Sequence, residues 1–171
     1  NLAFIFALAD GMRKIVEDKK QDNRLSGHLL ANLFYEPSTR TRFSFEVAML
    51  QLGGHYFSET GGPIPRGQQL VNKAMLVEAL GLEAIVLRHP DTGLAQLVAD
   101  SVKIPVINAG DGPNQHPTQA LLDLYTIKNE LKRLDGLTVT MLGDLKYGRT
   151  VHSLSRLLSL YKVKINLVSP S

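Results

Sequence analysis

Short apolar runs alternate with longer segments of helical periodicity along this chain, and that alternation narrows the available folds more than any other feature. Residues 28–35 form a mostly apolar run too short for an ordinary helix, which predicts a largely buried strand. Pro37 breaks it, and Ser38 is placed to cap a helix whose apolar stripe is Phe45, Ala48, Met49 and Leu52, stopped by Gly53 and Gly54. Residues 55–58 then read as a short strand, 61–65 as a loop, 68–80 as a helix and 83–87 as a strand. A helix over 92–101, a strand over 104–108, a Gly/Pro loop and a long helix over 117–133, with Pro117 in its first turn, extend the pattern. Such alternation predicts an α/β fold: a parallel sheet with helices on both faces.

Before the first strand, residues 2–19 carry Leu2, Ile5, Phe6, Ala9, Met12, Ile15 and Val16 at helical spacing, the mark of a surface helix. After Leu134, Asp135 and Gly136 a further unit starts, with a strand over 137–142, a helix over 150–161 and a strand over 163–168. The expected division is one domain over residues 1–133 and the beginning of a second α/β domain over 134–171. This second piece is too small to cover both faces of a sheet, and the missing initiator methionine suggests an excerpt of a longer polypeptide. The apolar opening, residues 1–8, is too short to span a bilayer and lacks the flanks of a signal peptide, so a soluble protein with no membrane partner is expected.

Net charge discriminates little here. Nineteen Lys and Arg against sixteen Asp and Glu leave +3, too mild to imply nucleic acid, so partners must be argued from sites. The absence of cysteine excludes disulfide frameworks, thiolate metal sites and cysteine nucleophiles, and is compatible with a reducing, cytoplasmic setting.

In an open parallel sheet ligands sit beyond the carboxyl ends of the strands, and four loops at such ends carry polar groups. At Ser38, Thr39, Arg40 and Thr41, a helix start offers free N–H groups and a favourable dipole beside hydroxyl and guanidinium donors, a combination suited to phosphate. The plainer reading makes Ser38 a simple cap and pairs Arg40 with a carboxylate such as Glu46. Arg88 emerges after the apolar residues 84–87 and needs an anionic partner, either a ligand or a nearby carboxylate. His116 precedes Pro117 at a helix N-terminus, which disfavours an imidazolium; a neutral imidazole there can polarise a carbonyl, or serve structure alone. His28, His55, His89 and His152 have no metal-site spacing and read as structural. The run Gly143 to Arg149 matches neither G-x-G-x-x-G nor the P-loop, and leaves Arg149 as a solvated helix-start residue or a carboxylate clamp.

Together, STRTR at 38–42, VLRHP at 86–90, NAGDG at 108–112, HPTQ at 116–119 and GDLKYGRTVHS at 143–153 resemble the aspartate carbamoyltransferases, catalytic chains of pyrimidine synthesis. The first and fourth elements belong to carbamoyltransferases generally, including those for ornithine; HPTQ with GDLKYGR points to the aspartate branch. By this resemblance Ser38, Thr39, Arg40 and Thr41 would hold the phosphate of carbamoyl phosphate and Arg88 its phosphate and carbonyl side. His116 would bond the carbonyl oxygen, Gln119 the carbamoyl amide, and Arg149 a carboxylate of L-aspartate. Arg40, Thr41, Arg88 and His116 would be the catalytic set. The implied reaction is attack of the aspartate α-amine on the carbamoyl carbon, giving N-carbamoyl-aspartate and phosphate, with no metal or cofactor.

The resemblance also implies a homotrimer with shared sites, and a regulatory subunit or a larger multienzyme polypeptide as further partners. A neighbour's loop in that family supplies serine and lysine to each site; residues 59–68 here are a shortened counterpart with Arg66 in place of lysine, no clear serine and Gln68 in place of glutamate, and Asn72 replaces an acidic residue. Family chains also continue past Ser171 with further aspartate-binding residues, so for these residues alone retained carbamoyl phosphate recognition and very weak catalysis are expected. A carbamoyltransferase for another amine such as ornithine, and a noncatalytic module of the same fold, are the alternatives.

Overall fold

The computed structural model describes residues 1–170. Its elements are α1 (Leu2–Glu17), β1 (Leu29–Phe34), α2 (Thr39–Gln51), β2 (His55–Thr60), α3 (Gln68–Ala79), β3 (Ala84–His89), α4 (Leu94–Ala99), β4 (Val106–Asp111), α5 (Pro117–Leu131), β5 (Thr138–Leu142), α6 (Arg149–Leu158) and β6 (Lys164–Val168). Strands β2, β1, β3 and β4 form one parallel sheet in that order, and β5 pairs with β6 in a second.

Alternate residues of the central strands face opposite layers, as the two-residue repeat of a strand requires. Ala31, Leu33, Ile85 and Leu87 pack with Leu70 and Ala74 of α3 and with Ala95 and Val98 of α4. On the other face Leu30, Phe34 and Val86 pack with Met49 of α2 and Ala109 of β4. Both faces are therefore covered, which is why these strands read as unbroken apolar runs. A third cluster joins Phe6 of α1 and Leu124 of α5 to Met141 of β5 and Leu158 of α6. Helix α1 buries only Phe6, in keeping with a surface helix.

Two boundaries and one helix face differ from the sequence reading in ways that matter. β3 runs on through Arg88 and His89, because Tyr35 N–H donates to Arg88 O at 2.9 Å and ladder pairing continues. β4 starts later and takes in Ala109, Gly110 and Asp111, with a register irregularity between Leu87 and His89 where β3 and β4 pair. In α2 the expected stripe is broken: Glu46 is buried and Ala48 exposed, because the Glu46 carboxylate accepts a 2.6 Å hydrogen bond from Ser58. Among the described residues, no helix is long and apolar enough to cross a membrane.

Candidate anion and carboxylate site

Sheet order places a crevice where β1 and β3 lie side by side: β1 leads to β2 on one side, and β3 leads to β4 on the other. Ligand sites form at such switch points because the connecting loops diverge there and leave a gap beyond the strand ends. Ser38 ends the loop after β1 in extended backbone, φ −160° and ψ 97°, and its hydroxyl makes no capping bond to the helix it precedes. Arg40 is exposed and belongs to no salt bridge among the described residues. The Arg40–Glu46 pair offered by the plainer reading is absent; Arg42 is the arginine beside Glu46, at 3.8 Å. Helix N–H groups, a hydroxyl and a free guanidinium thus converge with nothing in the protein to bind.

Arg88, buried on β3, donates to Glu36 at 2.9 Å and to the Ala109 carbonyl at 3.2 Å, and its Nε has no partner. Arg149, on the first turn of α6, grips the same Glu36 with two bonds of 2.7 Å and reaches the Gly112 carbonyl at 3.0 Å. One carboxylate thereby holds two guanidinium groups that are far apart in the chain. These arginines, with their hydrogen bonds, hold the Glu36 carboxyl below its ordinary pKa despite burial, which alone would raise it. Burial, then the neighbouring Arg149, lowers the Arg88 pKa, and Glu36 opposes the shift. Gly110 makes the approach possible: at φ +129° it has no side chain, and a Cβ there would lie 3.2 Å from both Arg88 Nη1 and Arg149 Cζ.

His116 is buried at the N-terminus of α5, and its backbone N–H donates to Ser153 Oγ at 2.8 Å, while that hydroxyl donates to Gln115 Oε1 at 2.8 Å. Its pKa is pushed down to about 4, first by desolvation and then by Arg88 and Arg149, against a smaller opposing pull from Glu36. The ring is therefore neutral at physiological pH. Arg88 Nη1 donates to its Nε2 at 3.4 Å, and because a guanidinium has no acceptor this places the ring proton on Nδ1, where Thr118 Oγ1 accepts it at 3.3 Å.

Ser38, Thr39, Arg40, Thr41, Arg88, His116, Gln119 and Arg149 line one cleft of about 860 Å³. Within it Gln119 donates to Asp123 at 2.9 Å. Arg66, on the loop that the resemblance assigns to a neighbour's site, lies outside this cleft: it is largely exposed and pairs with Asp91 at 2.8 Å, while the preceding Pro65 carbonyl is held by His89 Nε2 at 3.0 Å. Sequence reasoning missed Glu36, Thr118 and Ser153. For Glu36 a signal existed, since a carboxylate between a strand end and Pro37, beside arginines, is poorly placed to stay unpaired. No group of three or more His, Asp or Glu suited to a metal ion occurs among the described residues.

A family model described as aspartate/ornithine carbamoyltransferase, carbamoyl-P binding domain, matches residues 1–129. The aspartate carbamoyltransferase catalytic subunit of Thermococcus gammatolerans is 47% identical over 173 residues, covering 99% of this chain and 56% of the relative. That of Methanococcus vannielii is 49% identical over 166 residues, covering 95% and 55%. Among solved structures, the catalytic subunit of M. jannaschii aspartate transcarbamoylase superposes with a TM-score of 0.90 at 46% identity, covering 99% of this chain and 56% of that one. The Trypanosoma cruzi enzyme in complex with carbamoyl aspartate and phosphate gives a TM-score of 0.92 at 36% identity, with the same coverage of both chains. This chain spans about half the length of the relatives it matches.

Proposed function

The chain belongs to the aspartate/ornithine carbamoyltransferase family, and from that premise we propose that its cleft binds carbamoyl phosphate for transfer of the carbamoyl group to L-aspartate. The observation that carries the proposal is the unengaged anion site at the start of α2, opening into the same cleft as Arg88 and a neutral His116. Residues 1–133 would form the carbamoyl phosphate unit and residues 134–171 part of an aspartate unit. The α-amine of aspartate attacks the carbamoyl carbon; a C–N bond forms, the C–O bond to phosphate breaks, the amine loses a proton, and phosphate leaves with the bonding electrons. Charge that develops on the carbonyl oxygen and on the leaving phosphate is met by donors already in place, so orientation and electrostatics carry the rate.

In this reading Ser38, Thr39, Arg40 and Thr41 hold the phosphate, and Arg88 spans phosphate and carbonyl. As Arg88 turns from His116 Nε2 to the substrate, the ring takes its other tautomer: the Thr118 hydroxyl donates to Nδ1, the Nε2–H donates to the carbonyl oxygen, and Gln119 turns from Asp123 toward the carbamoyl amide. Arg149 would take an aspartate carboxylate in exchange for Glu36. The relatives bearing the name aspartate carbamoyltransferase support that acceptor over ornithine. Pyrimidine synthesis in the cytoplasm and action as a homotrimer belong to the same proposal. The second reading, a noncatalytic module, draws support from Arg66 being tied to Asp91 and Arg149 to Glu36.

Calorimetric titration of the chain with carbamoyl phosphate, beside an assay of carbamoyl-aspartate formation, tests the proposal. Binding in the parent and its loss in Arg40→Ala are expected, and the same substitution should change stability by no more than about 0.5 kcal/mol, because the side chain is exposed and unpaired. Absence of binding in the parent would overturn the reading. Binding without product, from this chain and from any longer polypeptide that contains it, would favour the module.

A further inference from the structure

Helix α2 carries the anion-binding residues at its start, yet the apolar stripe that ordinarily fixes a helix's rotation on a sheet is reduced there to Phe45 and Met49. Phe43, Val47 and Leu50 are 47%, 48% and 57% exposed; Met49 is the one buried apolar side chain, with Phe45 partly buried against the same cluster, and the other buried residue is Glu46. Apolar contact is also non-directional, so Phe45 and Met49 hold the helix on the sheet without closely fixing its rotation. The directional contact is polar. Asn32, fully buried in the middle of β1, donates from Nδ2 to Ser58 Oγ at 3.2 Å, and Ser58 donates to Glu46 Oε1 at 2.6 Å. The Ser58 hydroxyl has one proton and gives it to the carboxylate, so its oxygen must accept, and Asn32 must turn its amide nitrogen toward it. The Asn32 Oδ1 is left buried and without a partner, the cost of that orientation.

We propose that Ser58, by bridging Asn32 and Glu46, is a positioning residue that sets the rotation of α2 and so the aim of Arg40 and Thr41 into the cleft. Successive helical residues are about 100° apart, so a small rotation at Glu46 swings the donors at residues 40 and 41 across the cleft mouth. The loose Arg42–Glu46 contact of 3.8 Å does not replace this bridge. The proposal rests on the carbamoyl phosphate reading for its ligand, and on the relay itself for its geometry.

The test compares Ser58→Thr with Ser58→Val, which match in size and differ in the hydroxyl; Ser58 lies exposed on an edge strand with room for either. Two readouts are taken well below the unfolding temperature: amide NMR shifts of residues 39–41 in the ligand-free protein, and carbamoyl phosphate affinity. In Ser58→Val the shifts are expected to move and affinity to fall about tenfold, the scale of one lost directional hydrogen bond. Ser58→Thr should restore both. Parent-like shifts and affinity in Ser58→Val, or equal losses in the two variants, would overturn the proposal. If the parent does not bind carbamoyl phosphate, the functional reading fails, and the amide shifts still decide the relay. Should Ser58→Val not fold, Glu46→Gln, which weakens the same acceptor without changing its shape, is judged on the same readouts.

Discussion

Replacing Glu36 by glutamine should lower stability and raise affinity for anions in the same molecule. The carboxylate receives one hydrogen bond of 2.9 Å from Arg88 and two of 2.7 Å from Arg149. Both guanidinium groups are shielded, with side chains 10% and 16% exposed, while Glu36 is 27% exposed. Breaking a buried ion pair by removing one partner costs about 3 to 5 kcal/mol. The partial exposure of Glu36 and the retained amide oxygen place this variant at the low end, about 3 kcal/mol. For a chain of this length each kcal/mol lowers the midpoint by about 2 to 4 °C, so thermal unfolding followed by circular dichroism should shift down by about 6 to 12 °C.

The freed charges then favour an added anion. A tenfold gain in affinity for inorganic phosphate would add about 1.4 kcal/mol to the stabilisation that a saturating concentration confers, so phosphate should raise the midpoint of Glu36→Gln more than that of the parent. Equal stability of the two proteins, or equal phosphate-induced shifts, would refute the view that Glu36 holds two otherwise repelling arginines at the mouth of an anion site.

His116 gives a pH prediction with a definite sign. Its folded-state pKa of about 4 lies below the ordinary 6.5, so protons favour the unfolded chain; its contribution is whole above about pH 6.5 and is lost as pH falls toward 4. Between pH 7 and pH 5 this amounts to about 2 kcal/mol, and urea unfolding of His116→Asn should show a loss smaller by that amount. Glu36 acts in a lower window: its depressed pKa means stability present above about 4.5 and lost as pH falls through the folded value, so Glu36→Gln should flatten the acid limb alone. Gly112→Ala should cost about 1 to 3 kcal/mol, because φ is +54° and a Cβ would lie 2.6 Å from the Pro90 carbonyl. Gly136→Ala, at φ +72° with open space around it, should cost less, and a larger urea-midpoint loss there than at Gly112 would contradict this account.

The order of strands and helices was legible in the chain because it is written locally. Period-two and period-3.6 patterns, Pro117 at a helix start and the glycines after residue 52 each act within a few residues of themselves. The cluster of donors at the start of α2 was legible for the same reason, since its hydroxyls, helix N–H groups and Arg40 are contiguous.

Contacts between distant segments decided the rest. Glu36 and Arg149 stand 113 positions apart, and nothing around either names the other; they meet because β1 and β3 are neighbours in the sheet and α6 packs back along α5. Arg66 pairs with Asp91 just past the end of β3, a contact that only the course of that loop could reveal. Glu46 broke a predicted apolar stripe because a hydroxyl on the edge strand was in reach to satisfy it. A side chain's charge, shape and donors belong to the sequence, but burial sets the strength of each interaction, and burial and partners exist only once the layers have packed.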